Sequence, residues 1–273
     1  MDVFKDKLCI VTGAGSGIGR ATCDLLLERG ARVFALDINE AALEHLQAPD
    51  DGYPENLRKA AIGVTDAGAV TEFLQSIILE TGVIDYLFNI AGITIAGEAR
   101  NLTLDNWRKV IDVNLNGVIN STVIVYKQMV EQGHGHIVNM ASVQGLVPLP
   151  LEAPYVTSKY AVVGLSQALR IEGQDLGVKV SVVCPGMVET PLFDSPMVNI
   201  PRHKYEDYVK SWKRFAVSPQ TCAEIVLRGT QKNQPIIPVT FMAKLMWLIG
   251  RVSPSWINGL LASDLRKLRE ALR

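Results

Sequence analysis

An α/β fold built on a doubly wound, seven-stranded parallel sheet is what the sequence predicts, and three observations lead to it. Short runs rich in β-branched residues alternate with longer stretches of helical period from the start to about residue 240. A glycine-rich turn joins the first such run to the first helical stretch. No Pro/Gly/Ser-rich linker, internal repeat or low-complexity tract interrupts the series, so the 273 residues are expected to form one unit with a sizeable core.

The expected strands are 8–12, 32–36, 58–64, 84–89, 136–140, 179–183 and 235–239. After the first, Ile18, Ala21, Leu25 and Leu26 fall on one helical face, while Arg20, Asp24 and Glu28 lie elsewhere and Gly30 supplies a C-cap. Long helices are expected around 106–131 and 155–175. Between 187 and 216 the periodicity breaks down around Pro191, Pro196 and Pro201, which predicts an irregular lid over a site. Ser218 and Pro219 read as an N-cap with proline at the first helical position, starting a helix that feeds the last strand.

Beyond residue 240, Met242, Leu245, Met246 and Ile249 lie at helical spacing. Pro254 then breaks the pattern before Trp256, Ile257, Leu260, Leu261, Leu265 and Leu268, which predicts two amphipathic helices, 241–273, extending the domain 1–240. The favoured expectation is packing on their own subunit or a neighbour. Peripheral membrane contact, with Arg266, Lys267, Arg269 and Arg273 toward anionic lipid, is the less favoured one, since these residues are equally a solvated helix end.

A formal net charge of -1 without long charged runs argues against a nucleic-acid partner and suits a small ligand. Cys9, Cys23, Cys184 and Cys222 form no C-x-x-C pair, and no histidine stands at metal-ligand spacing, so core thiols in a reducing compartment and no metal are expected. The N-terminus has no apolar signal-peptide core. The apolar run 241–250 is interrupted by Lys244 and falls short of the ~20 residues a span needs, so a cytoplasmic location is expected.

The chemistry starts at Thr12-Gly13-Ala14-Gly15-Ser16-Gly17-Ile18-Gly19, where a strand turns into a helix. Glycines permit the tight turn and close backbone approach, and a helix N-terminus offers free N–H groups to a pyrophosphate. Asp37, twenty positions after Gly17, stands where a carboxylate accepts from both hydroxyls of an adenosine ribose. Its charge beside the extra phosphate of NADP would cost about 4 kcal/mol per unit charge at ~4 Å and an effective dielectric near 20. Ser16 is neutral and Ile38 and Asn39 follow Asp37, so NAD is the expected cofactor. Tyr155 and Lys159, one helical turn apart, pair a phenol with an ammonium. A phenol that ionises near pH ~10 becomes a useful base when a neighbouring cation lowers that value.

The run from Thr12 fits T-G-x-x-x-G-x-G with Gly13, Gly17 and Gly19. With Asp37 and the Tyr155–Lys159 pair, the chain resembles the short-chain dehydrogenase/reductase family over about residues 5–240. Further motifs fall in the family's order. Asn89-Ile90-Ala91-Gly92 resembles its N-N-A-G element, with Ile90 in place of the second asparagine. Asn114 resembles the asparagine whose backbone holds a water near the lysine, and Ser142 lies thirteen residues before Tyr155. Pro185-Gly186-Met187-Val188-Glu189-Thr190 resembles the loop that holds the nicotinamide carboxamide.

The resemblance implies a Rossmann fold and a homodimer or homotetramer, with the two long helices as contacts. It implies Asn114, Ser142, Tyr155 and Lys159 as the catalytic set. Dinucleotide contacts fall to Gly13, Gly15, Ser16, Gly17, Ile18, Gly19, Asp37, Ile38, Val64, Thr65, Asp66, Asn89, Ala91, Gly92, Pro185, Gly186, Val188 and Thr190, besides Tyr155 and Lys159. Substrate contacts fall to Ser142, Gln144, Leu149, Tyr155, Met187, Leu192 and Phe193, a mainly apolar set that predicts a lipophilic secondary alcohol or ketone. An NADPH-linked biosynthetic ketoreductase, including a 3-oxoacyl type, and a non-catalytic NAD-sensing scaffold are the alternatives.

Overall fold

The computed structural model describes residues 2–48 and 56–272. Seven parallel strands, β1 (Leu8–Thr12), β2 (Arg32–Asp37), β3 (Leu57–Ala61), β4 (Tyr86–Asn89), β5 (Gly135–Met140), β6 (Val178–Cys184) and β7 (Ile236–Pro238), form one sheet in the order β3-β2-β1-β4-β5-β6-β7. Helices α1 (Gly17–Glu28) and α8 (Pro219–Gln231) pack side by side on one face, and α3 (Ala67–Thr81) and α5 (Gly117–Gln132) pack on the other. Strand order reverses between β1 and β4, and the crevice beyond their C-terminal ends is where such sheets bind ligands.

The strand boundaries differ from expectation by more than one residue at two places. β3 stops at Ala61 rather than residue 64, because Gly63 starts a turn closed by an Asp66 N–H bond of 3.0 Å to its carbonyl. β4 begins at Tyr86 rather than residue 84, because the Gln132 side chain takes up both the N–H and the C=O of Ile84. Gly30, at φ 75°, follows the α1 cap residue Arg29 in the left-handed conformation that glycine tolerates.

The helices are also less uniform than their spacing suggested. The 106–131 segment is divided into α4 (Leu104–Ile111), a π-helical turn (Asp112–Asn116) and α5. The 155–175 segment is α6 (Ala153–Glu172), followed by a 3-10 turn (Gln174–Leu176). The expected irregular lid contains a 3-10 turn (Pro191–Asp194) and the helix α7 (Arg202–Lys213). Tyr205 and Tyr208 of α7 pack on Leu151, Ile200 and Leu268, which gives that helix an apolar footing the proline spacing concealed. A short α2 (Glu40–Glu44) is N-capped by Asn39.

The tail forms α9 (Phe241–Val252) and α10 (Pro254–Ala271), divided at Pro254. Ala243, Met246, Ile257 and Leu261 pack on Val143 and Val147 beside the end of β5. Two of the cations read as lipid-facing are engaged elsewhere: Arg269 clasps Glu98 at 2.7 and 3.2 Å, and Lys267 bonds Asp264 at 3.2 Å. Arg273 lies outside the described residues. All four cysteines are free and buried, and burial pushes their thiols up.

His136, at the start of β5, is buried between β4 and β6 with Nε2 2.9 Å from Ser181 Oγ. Burial, aided by Lys179 and Arg170, pulls its pKa down to about 3. Below the usual histidine value near ~6.5 the unfolded chain takes up a proton that the native state refuses, so stability declines as pH falls from ~6.5 toward 3. His136→Gln is expected to flatten that decline, read as a smaller difference in urea stability between pH 7 and pH 4. An unchanged difference would assign the acid limb to other groups.

Candidate active site

The glycine turn between β1 and α1 makes one end of a cavity of about 650 Å³. Gly13 and Gly17 adopt φ values of 72° and 51°, where side chains are strained. A Cβ on Gly19 would lie 1.9 Å from the Gly13 carbonyl oxygen, so only glycine lets the turn close on the helix. Ser16 is extended at the N-cap and its side chain makes no capping bond, leaving its hydroxyl and the first amides of α1 available to an anion. Gly13, Ser16, Gly17, Ile18 and Gly19 all line the cavity.

Asp37, Ile38, Val64 and Thr65 form the adjoining wall. Asp37 is held in place by backbone amides: Oδ2 accepts from Gly15 at 2.9 Å and Oδ1 from Asn39 at 2.9 Å. Gly15 therefore supports Asp37 from behind the cavity lining. Asp66 is likewise outside the lining; its carboxylate caps α3 through the Ala69 amide. These surroundings fit a dinucleotide, with an amide-rich turn for a pyrophosphate and a positioned carboxylate for a ribose.

Asn89 also stands back from the cavity. It is buried, donating to Thr122 Oγ1 at 3.1 Å and Asn139 Oδ1 at 2.9 Å and accepting from Ser121 at 2.7 Å, so it braces β4 against β5 and α5. Thr12 Oγ1 takes up the N–H groups of Ile90 and Ala91 at 3.1 and 3.3 Å, which anchors the turn despite the missing second asparagine. Ala91 and Gly92 line the cavity, as do Pro185, Gly186, Val188 and Thr190 from the loop after β6.

Two elements bring Ser142, Tyr155 and Lys159 together on the cavity wall: Ser142 caps the 3-10 turn (Val143–Gly145) that follows β5, and the other two lie in the first turns of α6. Ser142 Oγ accepts from the Gln144 amide at 3.1 Å, which leaves its own proton to donate. Lys159 is buried, with Nζ 2.8 Å from the Met140 carbonyl and 5.4 Å from the Tyr155 ring centre. Asn114 sits in the π-helical turn but outside the lining; its side chain pairs with both backbone groups of Ile93 at 2.8 and 2.9 Å and with Ser158 at 3.1 Å. It thereby ties the loop after β4 to α6.

Burial and the nearby Glu152 push the Tyr155 phenol up, with a hydrogen bond to Ser142 pulling the other way. Burial brings the Lys159 ammonium down to about 8. Each group is moved toward its neutral form, so the tyrosine stands as a proton donor.

The far end of the cavity carries Gln144, Leu149, Met187, Leu192 and Phe193. Val147 and Leu151, their sequence neighbours, belong to the core. Thr94, Tyr205, Tyr208, Met246 and Leu261 join the lining without having been singled out as site residues; for Met246 and Leu261 only their place on the tail's apolar stripe marked them. Glu152 is buried there and accepts from Gln144 Nε2 at 2.5 Å, Thr94 at 3.2 Å and Tyr205 at 3.3 Å. Its burial raises the carboxyl pKa against the pull of those three donors.

Residues 7–197 match the family described as short chain dehydrogenase. The 3-oxoacyl-[acyl-carrier-protein] reductase FabG of Thermotoga maritima is 37% identical over 189 residues, covering 69% of this chain and 77% of that protein. D-threitol dehydrogenase of Mycolicibacterium smegmatis is 38% identical over 238 residues, covering 82% and 92%. A short-chain dehydrogenase/reductase from Burkholderia phymatum, solved with NAD, superposes with a TM-score of 0.84 at 23% identity, covering 94% and 96%.

Proposed function

The chain belongs to the short-chain dehydrogenase/reductase family of oxidoreductases, and from that premise we propose an NAD(H)-dependent enzyme interconverting a lipophilic secondary alcohol and its ketone. The observation that carries the reading is continuity: one cavity runs from Gly17 and Asp37 past Lys159, Tyr155 and Ser142 to Leu192, Phe193 and Met246. A bound nicotinamide would supply the hydride acceptor or donor.

The residues of the chain do the rest. Tyr155 gives its proton to the carbonyl oxygen in reduction and takes it back in oxidation. Ser142, its lone pair engaged by the Gln144 amide, donates to that same oxygen. Lys159 has its charge available at neutral pH for the nicotinamide ribose, and in the loaded site the same charge would oppose the burial that raises the phenol. Asn114 acts through position, with its backbone in a widened turn beside α6 and its side chain fixing that turn. Gly186, Val188 and Thr190 would hold the carboxamide, and Asp37 the adenosine ribose. Asn89 and Gly15 support these groups from behind, and Asp66 secures the start of α3 beside the adenine wall.

Leu149, Met187, Leu192, Phe193, Met246 and Leu261 favour a lipophilic substrate over the polyol named for the threitol dehydrogenase. Each buried hydroxyl left unpaired would cost about 1–3 kcal/mol, and the main polar cluster is already committed around Glu152. In a homologous series of secondary alcohols, kcat/KM is expected to rise up to about fourfold per added CH₂, equivalent to ~0.8 kcal/mol. A flat series, or preference for polyols, would sink the substrate assignment and leave the redox chemistry standing.

We read the whole chain as one catalytic unit, 1–240 with its lid 187–216 and the extension 241–273, working in the cytoplasm. The subunits are read as pairing through α4–α5 and α6 into a homodimer or homotetramer, which the exposed Leu104, Val123, Tyr160 and Ile171 on those helices favour.

A further inference from the structure

We propose that the outer face of the α9–α10 hairpin docks on an anionic lipid surface. Phe241, Leu245, Leu248 and Val252 follow one another at helical spacing along α9, and Trp256 and Leu260 continue the stripe on α10. All six are exposed, by 36 to 87%. Ala243 and Met246, on the opposite face of α9, belong to the core, as do Ile257 and Leu261, about a quarter turn round α10 from Trp256 and Leu260. An apolar stripe of this length left to water is the mark of an interaction surface.

Charge identifies the occupant. From residue 241 to 263 there is no Asp or Glu, and the only charged side chains are Lys244 and Arg251, in a chain whose formal net charge is -1. Both are exposed, and neither forms an ion pair among the described residues. Arg251 lies over the Trp247 ring at 5.6 Å. A second copy meeting this face across a two-fold axis would offer only the same two cations and no acid to neutralise them. Anionic headgroups offer both neutralisation and an apolar layer for the stripe. Among the described residues no helix is long and apolar enough to cross a membrane, so the hairpin would lie in the interface plane. Met242, Ala243, Met246 and Leu261 line the substrate cavity, so docking would set that wall at the lipid boundary.

The test is co-sedimentation of the full chain with vesicles of roughly equimolar phosphatidylglycerol and phosphatidylcholine, against vesicles of phosphatidylcholine alone. Binding to the anionic vesicles is expected to be at least about tenfold tighter, from about 1 kcal/mol per basic residue near the surface. The triple variant Leu248→Ser, Val252→Ser, Trp256→Ser should lose at least about tenfold of that binding, since transfer of these side chains drives insertion. Lys244→Gln with Arg251→Gln should abolish the preference for anionic vesicles. NADH binding and Tm report that each variant is folded; should the triple variant fail, the paired cation variant, which changes only exposed side chains, decides. Three outcomes overturn the proposal: no association of the parent chain with either vesicle, undiminished association of a folded triple variant, or a self-associated parent that the triple variant dissociates while vesicles go unbound.

Discussion

Tyr155→Phe is expected to lower kcat by at least about a thousandfold while NADH binding stays within a few-fold. The substitution deletes the transferable proton and keeps the ring, which packs with Ile95 and Val110 behind the cavity. Lys159 remains anchored on the Met140 carbonyl, and Ser142 keeps its bond from the Gln144 amide, so the rest of the site is undisturbed. Single-turnover rates and NADH fluorescence titrations separate the two effects. Undiminished kcat would remove Tyr155 from the proton-transfer role. If neither parent nor variant turned over any alcohol while both bound NADH, the scaffold alternative would gain.

The second large effect concerns the cofactor. NAD is expected to be preferred over NADP by at least about a hundredfold in kcat/KM, or roughly 2.7 kcal/mol. Asp37 is fixed by two backbone amides, from Gly15 and Asn39, and cannot swing away from an added phosphate without breaking them. Asp37→Ala should narrow the gap but also frees the Gly15 amide. Asp37→Asn keeps an acceptor for that amide while removing the charge, and it should narrow the gap through NADP alone. Equal use of both cofactors by the parent would favour the NADPH-linked ketoreductase alternative.

Much of this arrangement was legible in local sequence because each signal has a local physical cause. The glycines from Gly13 to Gly19 announced a strand-to-helix turn because that turn needs left-handed backbone at Gly13 and Gly17 and a helix closing against the Gly13 carbonyl. Pro254 divided the tail because proline starts a helix but cannot continue one. What spacing hid depended on distant partners. α7 is a helix because its tyrosines find Leu151 and Leu268, far away in sequence. The strand limit at Ile84 is set by a Gln132 side chain reaching across from α5. Gly15 and Asp66 fell in motif positions but were turned to support and capping by bonds that only the folded chain reveals. Burial at Tyr155 and Lys159 is hidden for the same reason: the proximity of a lysine is visible in sequence, whereas the burial of both groups is not.

The role of the cavity as a single redox site is tested most directly by following an atom. A lipophilic secondary alcohol carrying deuterium on its carbinol carbon is incubated with the protein and NAD, and the dinucleotide is analysed by mass spectrometry. One deuterium should appear in NADH for each ketone formed, and the transfer should fall with Tyr155→Phe. Ketone formed without deuterium in NADH, or no transfer from any secondary alcohol by protein that binds NADH, would contradict the hydride chemistry assigned to Ser142, Tyr155 and Lys159.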